Sequence, residues 1–148
     1  MKTGVKVMDA MTKAPIIVSP NESLLDCANK MKKSDIGSLI VAEDGILLGI
    51  LTEKDFVKKA VARNLDLKQT KAKEVMSTKM IKISPEMDLY DAILLMSREE
   101  KRRLPVTKGE RIIGLLTYKD LLKIQPDLYD IFIENFKIRE EETKRDML

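Results

Sequence analysis

Apolar side chains recur at Leu24, Cys27, Ala28 and Met31, and again at Leu89, Ala92, Ile93 and Met96. Both sets follow the i, i+3, i+4, i+7 spacing that lines one face of an α-helix, so each predicts a helix with one buried side. A short apolar run precedes each, Pro15-Ile16-Ile17-Val18 and Met80-Ile81-Lys82-Ile83, and predicts a strand. Between strand and helix, Ser19-Pro20 and Ser84-Pro85 supply an N-cap and a residue suited to the first helical position, with Glu22 completing a capping box in the first case. Downstream, Leu39–Val41 and Ile46–Leu51 flank Glu43-Asp44-Gly45, while Leu104–Thr107 and Ile112–Leu116 flank Lys108-Gly109-Glu110. Two hairpins follow from this, each leading into a second helix. From Gln125 the tail places Leu128, Ile131, Phe132 and Phe136 on one helical face and ends in Glu140, Glu141, Lys144 and Arg145 at pair-forming spacing. Its apolar stripe needs a cover, either the body of the same chain or a second subunit.

The two sets of elements are one pattern written twice. A shift of 65 positions aligns residues 6–55 with 71–120 without a gap and matches Met11 with Met76, Ser19-Pro20 with Ser84-Pro85, Gly49 with Gly114 and Thr52 with Thr117. The chain therefore reads as a first repeat over 5–62, a second over 70–124 and a helical extension over 126–148. Each repeat is β-α-β-β-α and too small to bury its sheet alone, so the expected fold is a mixed α+β (α/β) pair related by a pseudo-two-fold axis. Residues 61–75, with Lys68, Lys71 and Lys73, read as a solvated turn entering a short helix.

Composition narrows the chemistry. Among 148 residues, 44% are hydrophobic and 34% charged, with a net charge of +3. That describes a folded globular protein with mixed surface charge and gives little reason to expect a nucleic-acid footprint. No apolar run approaches the roughly 20 residues of a membrane helix, and the amino terminus lacks a secretory stretch, so a cytoplasmic protein without membrane contact is expected. Abundant Lys, Glu and Ile give a thermophile-like composition. With one cysteine and no histidine, intrachain disulfides, the usual zinc sites and Ser-His or Cys-His nucleophile pairs are excluded. No metal site and no resident cofactor are expected.

One polar constellation recurs: Gly49-Ile50-Leu51-Thr52-Glu53-Lys54-Asp55 and Gly114-Leu115-Leu116-Thr117-Tyr118-Lys119-Asp120. Each lies where a strand enters a helix. Thr and Asp three apart at a helix start form a capping box that satisfies unpaired backbone donors. The same place can instead receive a ligand, because free N–H groups and the dipole favour phosphate while a carboxylate can accept hydrogen bonds from a ribose diol. A glycine opening the motif lets ligand or neighbouring backbone come close. The pair lacks a base able to work near neutral pH, so catalysis is not expected. Cys27, on the helical stripe, reads as a small core residue, and the helical methionines Met31, Met87 and Met96 read as core fillers. Asp26 and Asp91 recur beside the stripe and read as solvated.

On these motifs the chain resembles the CBS domain family, whose repeats share this element order and carry a Gly-hydrophobic-x-Thr/Ser-x-x-Asp ligand motif at the corresponding place. Arg102-Arg103-Leu104-Pro105-Val106 is similar to the family's basic segment at the start of the second strand. The resemblance covers about residues 5–124 and implies an adenine nucleotide (AMP, ADP, ATP) or S-adenosylmethionine as ligand, held in clefts between paired repeats. It implies one set in which Thr52 and Asp55 join Arg102, Arg103, Met80 and Ile81. A second set joins Thr117 and Asp120 with Ala14, Pro15, Ile16, Gly37 and Ser38. Guanidinium groups bind phosphate strongly, so the Thr52/Asp55 set is expected to favour the phosphorylated ligand and the other a less charged adenosyl compound. Arg102 and Arg103, following Glu99 and Glu100, also read as an ordinary ion-pair surface. The resemblance further implies a homodimer and an unidentified protein target. The alternatives are a nucleic-acid binder, for which no aromatic and basic residues interleave on a strand face, and a protein-interaction module without a small-molecule ligand.

Overall fold

The computed structural model describes residues 3–134. The first copy forms α1 (Val7–Ala10), β1 (Ile17–Val18), α2 (Leu24–Ser34), β2 (Ser38–Glu43), β3 (Ile46–Thr52) and α3 (Glu53–Asp55), which continues as a π-helix over Phe56–Val61. The second forms α4 (Ala72–Val75), α5 (Leu89–Arg98), β4 (Arg103–Lys108), β5 (Arg111–Thr117) and α6 (Tyr118–Ile124), and residues 126–134 form α7. The fold class is mixed α+β, as the patterning predicts. Helices α1 and α4, one turn each, fall at matching positions of the duplication; α4 is the short helix expected at the end of residues 61–75, and α1 is an addition to the expected elements.

The chain divides into two compact units that do not follow chain order. One holds residues 15–81 and 109–112, and the other holds the described residues up to 14, 82–108 and those from 113 onward. Each unit thus combines the hairpin of one repeat with the opening segment of the other.

In the first unit, β1 runs parallel to β2, and β2 pairs antiparallel with β3 through a bulge at Val41/Ala42. The β2–β3 turn uses Asp44 (φ 51) and Gly45 (φ 81), the two positive φ values that match a tight turn to the twist of its strands. Leu24, Cys27, Met31, Leu39, Val41 and Leu51 form the core together with Ala72 and Val75 of α4. The opening segment is tied in by backbone bonds: Ala72 N–H donates to Glu22 O at 2.9 Å, Leu24 N–H to Thr70 O at 2.9 Å and Ser77 N–H to Ile50 O at 2.8 Å.

The second unit repeats these ties 65 residues away. Val7 N–H donates to Met87 O at 2.9 Å, Leu89 N–H to Val5 O at 2.8 Å and Thr12 N–H to Leu115 O at 2.9 Å. Leu89, Ala92, Ile93 and Met96 are all fully buried, so the periodicity located the inner face of α5 correctly. Leu128 and Phe132 of α7 are also buried, and Tyr118 stacks on Tyr129 and Phe132 with ring centroids 6.4 and 6.1 Å away. The cover for the tail stripe therefore comes from the same chain as far as Phe132; Phe136 and the charged end lie outside the described residues.

Two local expectations are corrected. The N-caps are Ser23 and Asp88, which accept from Asp26 N–H at 3.1 Å and Tyr90 N–H at 2.9 Å. Ser19 and Ser84 instead close turns, with Glu22 N–H donating to Ser19 O at 3.1 Å and Met87 N–H to Ser84 O at 3.2 Å. The reason is the opening segments: Pro20 O and Pro85 O accept from Lys73 and Met8 N–H, which an earlier helix start would forbid. The expected strand at 80–83 is reduced to Ile83, which bridges Val106 in parallel. Among the described residues no helix is long and apolar enough to cross a membrane.

Candidate ligand-binding site

Both recurrent motifs fold alike, each into an opening of its own. Thr52 ends β3 in extended conformation and caps α3, and Thr117 does the same between β5 and α6. In the first, Asp55 Oδ2 accepts from Thr52 N–H at 2.9 Å and from its hydroxyl at 3.1 Å, while Asp55 N–H approaches Thr52 Oγ1 at 3.3 Å. In the second, the corresponding distances to Asp120 are 2.8, 3.1 and 3.3 Å. The capping-box reading is therefore realised in full: each carboxylate folds back on its own helix opening and commits Oδ2 there. Both aspartates are buried, so the box fixes their orientation.

The two carboxylates differ at the other oxygen. Asp55 Oδ1 pairs with Lys59 Nζ at 3.0 Å, and that ammonium also donates to Val75 O at 3.0 Å. Asp120 Oδ1 instead accepts from the Thr12 hydroxyl at 3.3 Å. Neither Lys59 nor Thr12 was singled out from the sequence. The Lys59 pairing is readable as an i, i+4 spacing, whereas the Thr12 contact spans 108 residues and has no local signal.

The glycines admit protein, not open space. A Cβ on Gly49 would stand 2.6 Å from Met76 Sδ and 2.9 Å from Ser77 O, and one on Gly114 would stand 2.5 Å from Met11 Sδ and 3.0 Å from Thr12 O. Of the two roles considered for glycine, close approach of neighbouring chain is the one filled here.

The other candidate residues are distributed between the units. Gly37 O accepts from Glu53 N–H at 3.1 Å, and its counterpart Arg102 O accepts from Tyr118 N–H at 3.0 Å. Ser38 pairs with Thr52 in the β2–β3 register. Thus Gly37 and Ser38 sit beside the Thr52/Asp55 opening, with Pro15, Ile16, Met80 and Ile81 in the same unit. Arg102, Arg103 and Ala14 share a unit with Thr117 and Asp120. Ile16 is unusually exposed for an isoleucine, at 37%. Cys27 is fully buried, and burial, assisted by Glu22, pushes its thiol up to about 11, which makes it an inert core group.

Comparison with known proteins adds to this geometry. The family model described as CBS domain matches residues 7–62 and 72–127. The CBS domain-containing protein YhcV of Bacillus subtilis is 37% identical over 115 residues, spanning 78% of this chain and 81% of that protein. The solved CBS domain pair of protein MJ0100, in complex with 5′-methylthioadenosine and S-adenosyl-L-methionine, is similar with a TM-score of 0.70 and 26% identity, covering 81% of this chain and 94% of that one. The hexameric CBS-CP12 protein from bloom-forming cyanobacteria is similar with a TM-score of 0.70 and 25% identity, covering 99% and 88%.

Proposed function

The chain belongs to the CBS domain family, and from that premise we propose that it is a non-catalytic regulatory module that binds an adenosyl ligand at its two Thr/Asp helix openings. The observation that carries the reading is the duplicated opening itself. Two carboxylates are held by identical capping boxes that use Oδ2, so each turns Oδ1 in a fixed direction where it can accept a ribose hydroxyl. The ligands in the MJ0100 complex, 5′-methylthioadenosine and S-adenosyl-L-methionine, supply the chemical class. Both carry a ribose 2′,3′-diol and an adenine, as do AMP, ADP and ATP.

In this reading Thr52 and Asp55 act with Met80 and Ile81 of their own unit, and Thr117 and Asp120 act with Ala14 of theirs. The exposed Ile16 side chain is available to cover a base face, a contact that removes apolar surface from water. The protein is proposed to work in the cytoplasm as a homodimer whose ligand state is read by a protein target.

Thermal shift and calorimetry with AMP, ADP, ATP and S-adenosylmethionine test this on the wild type, Asp55→Ala, Asp120→Ala and an Arg102/Arg103 double alanine variant. A ligand at 100-fold over its Kd stabilises by about 2.7 kcal/mol, a rise on the order of 5–10 °C for a chain of this size. No shift with any of the four overturns the proposal. Light scattering during size exclusion separates a dimer from a monomer or a hexamer.

A further inference from the structure

The two openings are built alike, but the surroundings of the carboxylate oxygen outside each capping box differ. Lys59 lies one helical turn beyond Asp55, and its ammonium is shared between Asp55 Oδ1 and Val75 O, each at 3.0 Å. Sixty-five residues on, the position of Lys59 is held by Ile124, an exposed apolar side chain. There Asp120 Oδ1 meets a neutral hydroxyl, that of Thr12, at the long distance of 3.3 Å.

A ligand diol that takes Asp120 Oδ1 exchanges one neutral donor for another, and the released Thr12 hydroxyl, on an exposed residue, returns to water at little cost. A diol that takes Asp55 Oδ1 competes for that oxygen with an ammonium whose side chain is only 33% exposed. A neutral diol does not replace that charge, and the displaced ammonium keeps a single backbone carbonyl. A partly desolvated cation that loses its anion is costly, and the cost falls when a second anion arrives with the ligand.

We propose that Lys59 is the specificity residue of the Thr52/Asp55 site: it makes that site demand an adenosyl ligand carrying an anionic phosphate, while the Thr117/Asp120 site accepts uncharged adenosyl compounds. This rests on the ligand-binding reading above and deepens it. Lys59 acts as an internal counter-ion that yields only to a ligand bringing its own negative charge, so one chain sorts two ligand classes between two otherwise duplicated openings.

The test uses AMP and 5′-methylthioadenosine, which share adenine and diol and differ in charge. Calorimetry is run on the wild type, on Lys59→Met, and on Ile124→Lys, with melting curves to show that each variant is folded. In the wild type one site prefers AMP over 5′-methylthioadenosine by tenfold or more, the size expected from one charge-assisted contact, and the other does not. Lys59→Met abolishes that preference by tightening 5′-methylthioadenosine and weakening AMP, and Ile124→Lys confers the preference on the second site. An AMP to 5′-methylthioadenosine ratio unchanged in Lys59→Met, with binding intact, overturns the role of Lys59 and leaves the ligand-binding reading standing. Absence of binding by the wild type to both probes overturns both.

Discussion

Gly49→Ala separates the two explanations for the glycine that opens each motif. Gly49 is buried within β3, and a methyl group there would stand 2.6 Å from Met76 Sδ, 2.9 Å from Met76 Cγ and 2.9 Å from Ser77 O. The methionine end can swing away. The carbonyl cannot, because Ser77 and Ile50 are joined by two backbone bonds of 2.8 and 3.0 Å. Overpacking of this kind costs about 1–3 kcal/mol, against a gain of about 0.4–1 kcal/mol from a stiffer unfolded chain. The net loss is about 1–2 kcal/mol, or roughly 3–6 °C in melting temperature at about 3 °C per kcal/mol. Thermal denaturation followed by circular dichroism reads it directly, and Met76→Ala in the same chain should return part of the loss, with a coupling above about 0.5 kcal/mol. Gly49→Ala melting at the wild-type temperature while losing ligand affinity would refute the packing argument and return the glycine to the ligand.

Three further outcomes are expected. Burial alone would raise the Asp88 carboxyl, but hydrogen bonds from Tyr90 N–H, from Thr3 N–H and hydroxyl and from Gly4 N–H outweigh it and hold the group below the ordinary carboxylate value. A carboxyl depressed by folding stabilises above its unfolded value and loses that contribution as pH falls through the folded one, so melting temperature should drop more steeply with acid for the wild type than for Asp88→Asn between about pH 5 and 2. Deleting residues 3–10 removes the fully buried Val7 and the bonds from Leu89 N–H to Val5 O and Val7 N–H to Met87 O, for a loss of at least about 2–3 kcal/mol and new proteolysis near 85–90, read by limited digestion. Cys27, its thiol pushed up to about 11 by burial, should not react with a disulfide reagent at about pH 8 until denaturant is added.

What could be read from the sequence is what is local. Leu89, Ala92, Ile93 and Met96 announced α5 because a helix must bury one stripe, and all four are buried. Thr52 and Asp55 announced their capping box because its bonds close over three residues. The N-caps were misplaced because Ser-Pro serves a turn as well as a helix start, and only the distant segments at Lys73 and Met8, which claim Pro20 O and Pro85 O, decide between them. Helices α1 and α4 are four residues each, too short to show a period. The exchange of opening segments between units, the Met76 side chain under Gly49 and the Thr12 hydroxyl on Asp120 join residues far apart in the chain and leave no local trace.

The central claim is that the carboxylates of Asp55 and Asp120 accept the ribose hydroxyls of an adenosyl ligand. The amide protons of Thr52 and Thr117 donate to those same carboxylates at 2.9 and 2.8 Å, so their NMR resonances report on them directly. Titration with AMP and 5′-methylthioadenosine should move at least one of these two amides in proportion to occupancy, and Asp55→Ala or Asp120→Ala should remove the response at its own site. Saturation with both ligands that leaves both threonine amides unmoved would contradict the account.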